Sequence, residues 1–142
     1  MSFREKSAWI TLVTVLVCFG VYFSVLVMHI HARRAPASPL FTLHWLLLSV
    51  AALAVLQLGA MFVAARTTPK DGRAAADERE RLIQLRSQSL GYHVLTVLAL
   101  LLFVPIHFRH SALDMANFAL LAVVVSVMTV AVAQIVMFRR GY

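Results

Sequence analysis

Residues 7–32 read SAWITLVTVLVCFGVYFSVLVMHIHA, a stretch without Asp, Glu, Lys or Arg. A helix needs about 20 mainly apolar residues to cross the roughly 30 Å hydrocarbon core of a bilayer. This stretch is long enough, and it exceeds the apolar core of about 7–15 residues that is typical of a cleaved signal peptide. We therefore predict a retained transmembrane helix at residues 8–30.

Three further apolar stretches predict spans at residues 43–65, 89–107 and 116–138. Because backbone polar groups cannot be left unpaired in lipid, each span should be a helix. The chain is 61% hydrophobic and 13% charged, whereas a typical soluble domain is about 25% charged. The sequence thus predicts an all-α membrane protein with one domain over residues 1–142 and four transmembrane helices.

The thirteen Lys and Arg residues lie outside the spans, and their distribution predicts the orientation. Ten belong to the amino tail, the loop at residues 66–88 and the carboxyl tail, whereas only Arg33, Arg34 and Arg109 lie in the other two loops. Since Lys and Arg favour the cytoplasmic side, we predict that both termini are cytoplasmic. The excess of Arg over Lys and the many Ala residues favour a GC-rich bacterial genome, so the membrane would be a bacterial plasma (inner) membrane. Because the net charge of +7 flanks apolar spans, we expect no direct nucleic-acid partner.

The two turns on the other side of the membrane begin alike, with IHARR at residues 30–34 and IHFRH at residues 106–110. Downstream of these turns, Trp45 falls opposite Phe118, and the following helices end at Arg66 and Arg139. The similarity predicts two tandem helical hairpins, related by a pseudo-two-fold axis along the membrane normal as in parallel repeats.

Small residues on the fourth span predict a packing seam, because close packing and interhelical hydrogen bonds carry helix association in lipid. Five of them recur at alternating three- and four-residue steps and are the helix-packing candidates: Ala119, Ala122, Ser126, Thr129 and Ala133. This spacing has the 3.5-residue period of left-handed packing, and Val124 lies off it. Gln57 and Gln134 are expected to pair between spans, and Pro105 should kink or end the third helix.

The most distinctive stretch precedes the third span and reads DERERLIQLRSQSLGYH at residues 77–93. Its acidic residues offset the attraction of neighbouring Arg residues to anionic lipid, and alternating charges suit recognition of a protein surface. We expect a helix that continues into the third span and carries five partner-docking candidates: Asp77, Glu78, Arg79, Glu80 and Arg81. The alternative interpretation is a solvated helical extension that Arg residues anchor at the interface.

This stretch resembles the signature of a family of small, uncharacterised prokaryotic multi-pass membrane proteins, a domain of unknown function. The matching positions are an Asp-Glu-Arg-acidic motif, the Ile that follows it and the aromatic residue that opens a helix: Asp77, Glu78, Arg79, Glu80, Ile83 and Tyr92. The resemblance covers the central loop and the third helix, and it covers the other spans only by hydropathy. It implies no activity, but it implies a regulatory setting, because members are accompanied by small helix-turn-helix regulators.

Five of the six histidines fall near the outer surface: His29, His31, His44, His107 and His110. Imidazole binds metals and is the side chain that titrates nearest neutral pH. An outward-facing sensor of pH, a metal or a small ligand is therefore an alternative function, with these weak candidates: His31, Arg33, His107, Arg109 and His110. Because the nearby Arg residues would repel a cation and Asp114 is the one nearby acid, we predict no metal site.

Motifs for catalysis or cofactor binding are absent from the sequence, so we expect no catalytic residues, no enzymatic activity and no cofactor. A small transporter or efflux component is a further alternative, and it would have to act as an oligomer because four helices leave little room for a pathway. No Asp, Glu, Lys or Arg lies inside a span, where ion pathways usually place them. The sequence therefore favours a non-enzymatic membrane protein that contacts the lipid bilayer and a cytoplasmic regulatory protein, and it leaves a homo-oligomer open.

Overall fold

The computed structural model describes residues 3–33, 38–67, 78–108 and 110–140, without the side chains of residues 33 and 106. Within these ranges the secondary structure consists of five helices: α1, Phe3–Arg33; α2, Pro39–Thr67; α3, Glu78–Leu101; α4, Phe103–His107; and α5, Ala112–Arg140. Since α3 and the start of α4 form one span, four segments are long and apolar enough to cross a membrane. The prediction of an all-α membrane protein with four transmembrane helices is confirmed.

The helices form two hairpins, as the sequence predicts. In the first, α1 packs against α2, and in the second, α3 packs against α5. The hairpins join through α1 and α5, so the packing order of the spans is α2, α1, α5, α3. The two central helices α1 and α5 are consequently the more buried spans, and α2 and α3 keep most of their surface exposed.

The two hairpins do not follow the expected pseudo-two-fold arrangement. Such an axis would exchange α1 with α3 and α2 with α5, so the packing of α1 on α5 would require equivalent packing of α3 on α2. Within the described residues, α2 and α3 do not pack against each other to a comparable extent. Each hairpin thus consists of two packed helices, but the interface between the two hairpins is not symmetric.

Local sequence sets where the helices begin. Ser38 caps α2, because the Phe41 N–H donates to the Ser38 Oγ at 3.3 Å, and Pro39 occupies the first helical position, where no N–H is needed. At α5, the Asp114 N–H donates to the Ser111 Oγ at 3.2 Å, and the Ser111 N–H donates to the Asp114 Oδ2 at 3.2 Å. This reciprocal arrangement is a capping box with an Asp in place of Glu.

Pro105 interrupts the third span, as predicted. The ring nitrogen of Pro105 cannot donate to the carbonyl of Leu101, and the helix is broken at Leu102. The Leu102 N–H is shared between the carbonyls of Leu98 and Ala99, each at 3.2 Å. The span therefore ends as the short helix α4.

The core lies between α1, α2 and α5. Its buried centre is built mainly by α1, with one residue from α5, and consists of Val15, Phe19, Tyr22, Leu26 and Val124. Side chains of α2, including Phe41 and Trp45, pack against this centre. Bulky apolar side chains elsewhere on α2, such as Leu48 and Leu58, are exposed. Such a surface suits contact with lipid, in which apolar side chains need no further burial.

Candidate functional site

The charged end of the bundle is the end at which α1 and α3 begin and α2 and α5 end. There, Arg4 of α1 joins α3 through two contacts. Its Nε lies 3.2 Å from the Glu80 Oε2, and its Nη1 donates to the Gln84 Oε1 at 3.5 Å. Because α5 lies between α1 and α3 in the packing order, these contacts bridge two helices that do not otherwise pack closely in the described residues.

Arg139 of α5 makes a second link to α1 at the charged end. Its Nε lies 3.9 Å from the Glu5 Oε1, and its guanidinium lies over the Trp9 ring, 5.4 Å from the ring centroid. The first turns of α1 thus connect α3 and α5. Both ion pairs are partly exposed, so each stabilises the fold by no more than about 1 kcal/mol and chiefly fixes the geometry of the end.

The partner-docking candidates do not all face outward. The Glu80 side chain turns inward to Arg4, whereas Glu78, Arg79 and Arg81 are exposed. Asp77 lies outside the described residues. The inward face of this part of α3 is set by Ile83 and Ser87, both of which are buried.

A small cleft of about 210 Å³ opens between the beginning of α3 and the end of α5. We call it the charged cleft. Among the described residues, two Arg residues, one acid and three apolar side chains line it: Glu78, Arg79, Leu82, Ile83, Arg86 and Met137. Leu82 is 53% exposed, although it lies among charged residues. The charged cleft therefore combines positive charge with an accessible apolar surface. Sequence reasoning found the charges of α3 but could not place Met137 beside them.

The central residues of the small-residue seam are buried, and one of them bonds to α3. Ala122 and Ser126 are buried, and the Ser126 Oγ donates to the carbonyl oxygen of Gly91 on α3 at 2.8 Å. Gly91 permits this approach, because an added Cβ would overlap the Val130 Cγ2. Ala119, Thr129 and Ala133 are only partly buried. Val124, which lies off the seam, is nevertheless buried, because it faces α1.

Two polar contacts inside the bundle were not found from the sequence. The Tyr22 hydroxyl of α1 donates to the Asn117 Oδ1 of α5 at 2.6 Å. Both residues are polar and lie in mainly apolar spans, and this feature of the sequence could have identified them as a pair. The expected pairing of Gln57 with Gln134 is wrong. Gln57 instead donates through its Nε2 to the Thr11 Oγ1 at 3.3 Å, because in the described residues α2 packs mainly on α1.

The opposite end of the bundle, the histidine end, does not gather its imidazoles. The His31 and His44 rings each lie within hydrogen-bond distance of a carbonyl four residues earlier, at 2.8 and 2.7 Å. His29 stacks on Phe41 with 3.9 Å between ring centroids. The His110 Nδ1 lies 3.8 Å from the Asp114 Oδ2.

Of the remaining outer-face candidates, the structure describes the side chain of His107. His107 is exposed beside Phe108, and the Arg33 side chain and Arg109 lie outside the described residues. Across the parts of the chain that the structure describes, no three His, Cys, Asp or Glu side chains converge as metal ligands would.

Comparison with known proteins gives no family assignment. No protein-family model, no curated protein and no solved structure matches the chain. The resemblance carried by the Asp-Glu-Arg-acidic motif therefore stays a prediction, and the charged cleft has to be interpreted from its own chemistry.

Proposed function

We propose that this chain is a non-enzymatic membrane protein that binds a cytoplasmic regulatory protein at the charged cleft. The charged end would face the cytoplasm of a bacterial inner membrane. The distribution of Lys and Arg supports this orientation, because ten of the thirteen lie at that end or in the loop that joins it.

The observation that carries the proposal is the composition of the charged cleft. Arg79 and Arg86 line a concave surface together with Leu82 and Met137. A surface helix that served only to anchor the chain in lipid headgroups would not need the acid at Glu78, which offsets attraction to anionic lipid. Positive charge beside accessible apolar side chains instead fits a protein segment that carries a carboxylate next to an apolar side chain.

The contacts of Arg4 support the same interpretation. They hold the beginning of α3 through Glu80 and Gln84, so the cleft borders are presented on a fixed helix. A preorganised surface favours association, because less conformational freedom is lost when a partner binds. Glu80 is therefore better described as a positioning residue than as a docking residue.

The proposal is tested by comparing two sets of substitutions on α3. Replacing Arg79 and Arg86 with Gln removes two exposed charge contacts, each worth about 0.2–1 kcal/mol. Capture of the partner after crosslinking in cells should then fall by about 2- to 30-fold. The matched control is Arg81→Gln, which also neutralises an exposed Arg but does not border the cleft.

Capture that falls with the cleft variant but not with the control supports docking at the charged cleft. Equal capture by wild type, cleft variant and control would overturn it. Reporter fusions after Gly72 on each variant verify that the neutralised Arg residues have not changed the topology.

A further inference from the structure

Two grooves open on the bundle surface near the charged end, one in each hairpin. The first has a volume of about 530 Å³ and lies between α1 and α2, with Trp9 and Ile10 on one side and Gly59, Ala60 and Val63 on the other. The second has a volume of about 560 Å³ and lies between α3 and α5, where Leu90 faces Met128, Val132, Ala133 and Val136. Both have mainly apolar walls.

The α2 wall of the first groove corresponds in sequence to the α5 wall of the second. When Arg66 at the end of α2 is aligned with Arg139 at the end of α5, every α2 residue of the first groove falls opposite an α5 residue of the second. Three of these matched positions are Ala60 with Ala133, Val63 with Val136, and Thr67 with Arg140. The α2 and α5 walls thus recur at equivalent places in the two hairpins, whereas the basic residues do not, because Arg140 falls opposite Thr67 and Lys6 belongs to α1.

Each groove ends at a basic side chain. Lys6 borders the first groove, where α1 begins, and Arg140, the last residue of α5, borders the second. From Thr67 to Gly59 the first groove runs about 12 Å along α2 towards the bilayer centre, at 1.5 Å per helical residue. An apolar groove that extends from a basic side chain into the hydrocarbon region fits an acyl chain that is attached to an anionic headgroup.

The membrane around the two grooves favours an anionic lipid as their occupant. A groove on the lipid-facing surface of a membrane protein cannot stay empty, so acyl chains fill it whatever its specificity. The basic residue at the mouth selects the headgroup, because basic pockets between transmembrane helices bind anionic lipids. Trp9 in the first groove is also suited to the headgroup level, where Trp and Tyr are enriched.

We propose that each groove binds one anionic phospholipid, with an acyl chain along the apolar walls and the phosphate at Lys6 in the first groove and at Arg140 in the second. Binding is by contact and charge alone, without a covalent step. The first groove shares no lining residue with the charged cleft, whereas the second groove adjoins it at Met137. The lipid proposal does not rest on the partner-docking function, because its tests measure lipid binding alone.

The first groove is tested by fluorescence quenching of Trp9. The chain has two tryptophans, so a Trp45→Phe variant leaves Trp9 as the reporter. This variant is reconstituted in phosphatidylcholine vesicles that contain equal mole fractions of dibrominated phosphatidylglycerol or dibrominated phosphatidylcholine. We expect stronger quenching by phosphatidylglycerol. Lys6→Gln should weaken that preference about fivefold, since one basic residue near the surface contributes about 1 kcal/mol.

Lipid counting tests whether both grooves bind. Native mass spectrometry of the detergent-solubilised chain with added phosphatidylglycerol should show two retained lipids. Gly59→Leu fills the first groove, where a Cβ meets no atom within 4 Å, and should leave one. Gly20→Leu is the matched control, because Gly20 is equally open but borders neither groove, and it should leave two.

Arg140→Gln should remove the second lipid when it is combined with Gly59→Leu. Equal quenching of Trp9 by the two brominated lipids would overturn the proposal, because the grooves would then hold bulk lipid without selecting its headgroup. Retention of two lipids by the Gly59→Leu variant would also overturn it.

Discussion

Replacing Gly91 with Ala tests whether α3 and α5 pack as closely as the structure shows. The carbonyl of Gly91 accepts a 2.8 Å hydrogen bond from the Ser126 hydroxyl, and a Cβ at position 91 would overlap the Val130 Cγ2. Because valine is branched at Cβ and rotates poorly within a helix, it cannot easily move away. The helices would have to separate, and the hydrogen bond would lengthen or break.

The net effect follows from three contributions. Overpacking a close contact costs about 1–3 kcal/mol, and loss of one interhelical hydrogen bond adds about 0.6 kcal/mol. Ala is favoured over Gly inside a helix by about 1 kcal/mol, which offsets part of the cost. We therefore expect Gly91→Ala to lower the free energy of unfolding by roughly 0.5–2.5 kcal/mol.

The same substitution at Gly20 is the control, because a Cβ there meets nothing within 4 Å. Gly20→Ala should raise stability by up to about 1 kcal/mol. Reversible unfolding in mixed micelles, followed by circular dichroism, measures both variants, and Val130→Ala should restore most of the stability lost in Gly91→Ala. Equal stabilisation by the two glycine substitutions would refute the close approach of α3 and α5.

Two further predictions concern the topology and the core. Reporter fusions after Gly72 should report the cytoplasm and those after Ser111 the exterior, and the opposite pattern would reverse the orientation. Tyr22→Phe removes the 2.6 Å hydrogen bond to Asn117 and should lower the free energy of unfolding by about 0.6 kcal/mol, with about 1.7 kcal/mol as the upper bound. Tyr92→Phe should have almost no effect, because Tyr92 is 69% exposed, and a similar loss in both variants would show that the Asn117 contact is not the cause.

The number of spans could be predicted from the sequence because hydropathy and span length are local properties. The interruption at Pro105 was predictable for the same reason, since the missing N–H acts within its own helix. The small-residue period on α5 also pointed to Ser126, which does bond to α3. Each of these features depends on residues close together in the chain.

The packing order could not be predicted, because hydropathy does not say which apolar faces meet. The expected Gln57–Gln134 pair failed for this reason, since α2 packs on α1 and α1 separates it from α5. Val124 lies off the seam of small residues yet is buried, because α5 uses a second face against α1. The inward turn of Glu80 could likewise not be foreseen, since it requires the first turn of α1 to lie at the height of the first turn of α3.

Site-specific photocrosslinking from position 82 tests partner docking at the charged cleft most directly. A photoreactive amino acid replaces the exposed Leu82 in living cells, and the same amino acid at the exposed Leu48 of α2 serves as the lipid-facing control. We expect a protein adduct from position 82 alone, joined to a peptide that carries Asp or Glu beside an apolar residue, and a decrease of about 1.4- to 5-fold in its yield when Arg86 is replaced with Gln. Adducts with lipid only at both positions, or a protein adduct whose yield is unchanged without Arg86, would contradict docking at the charged cleft.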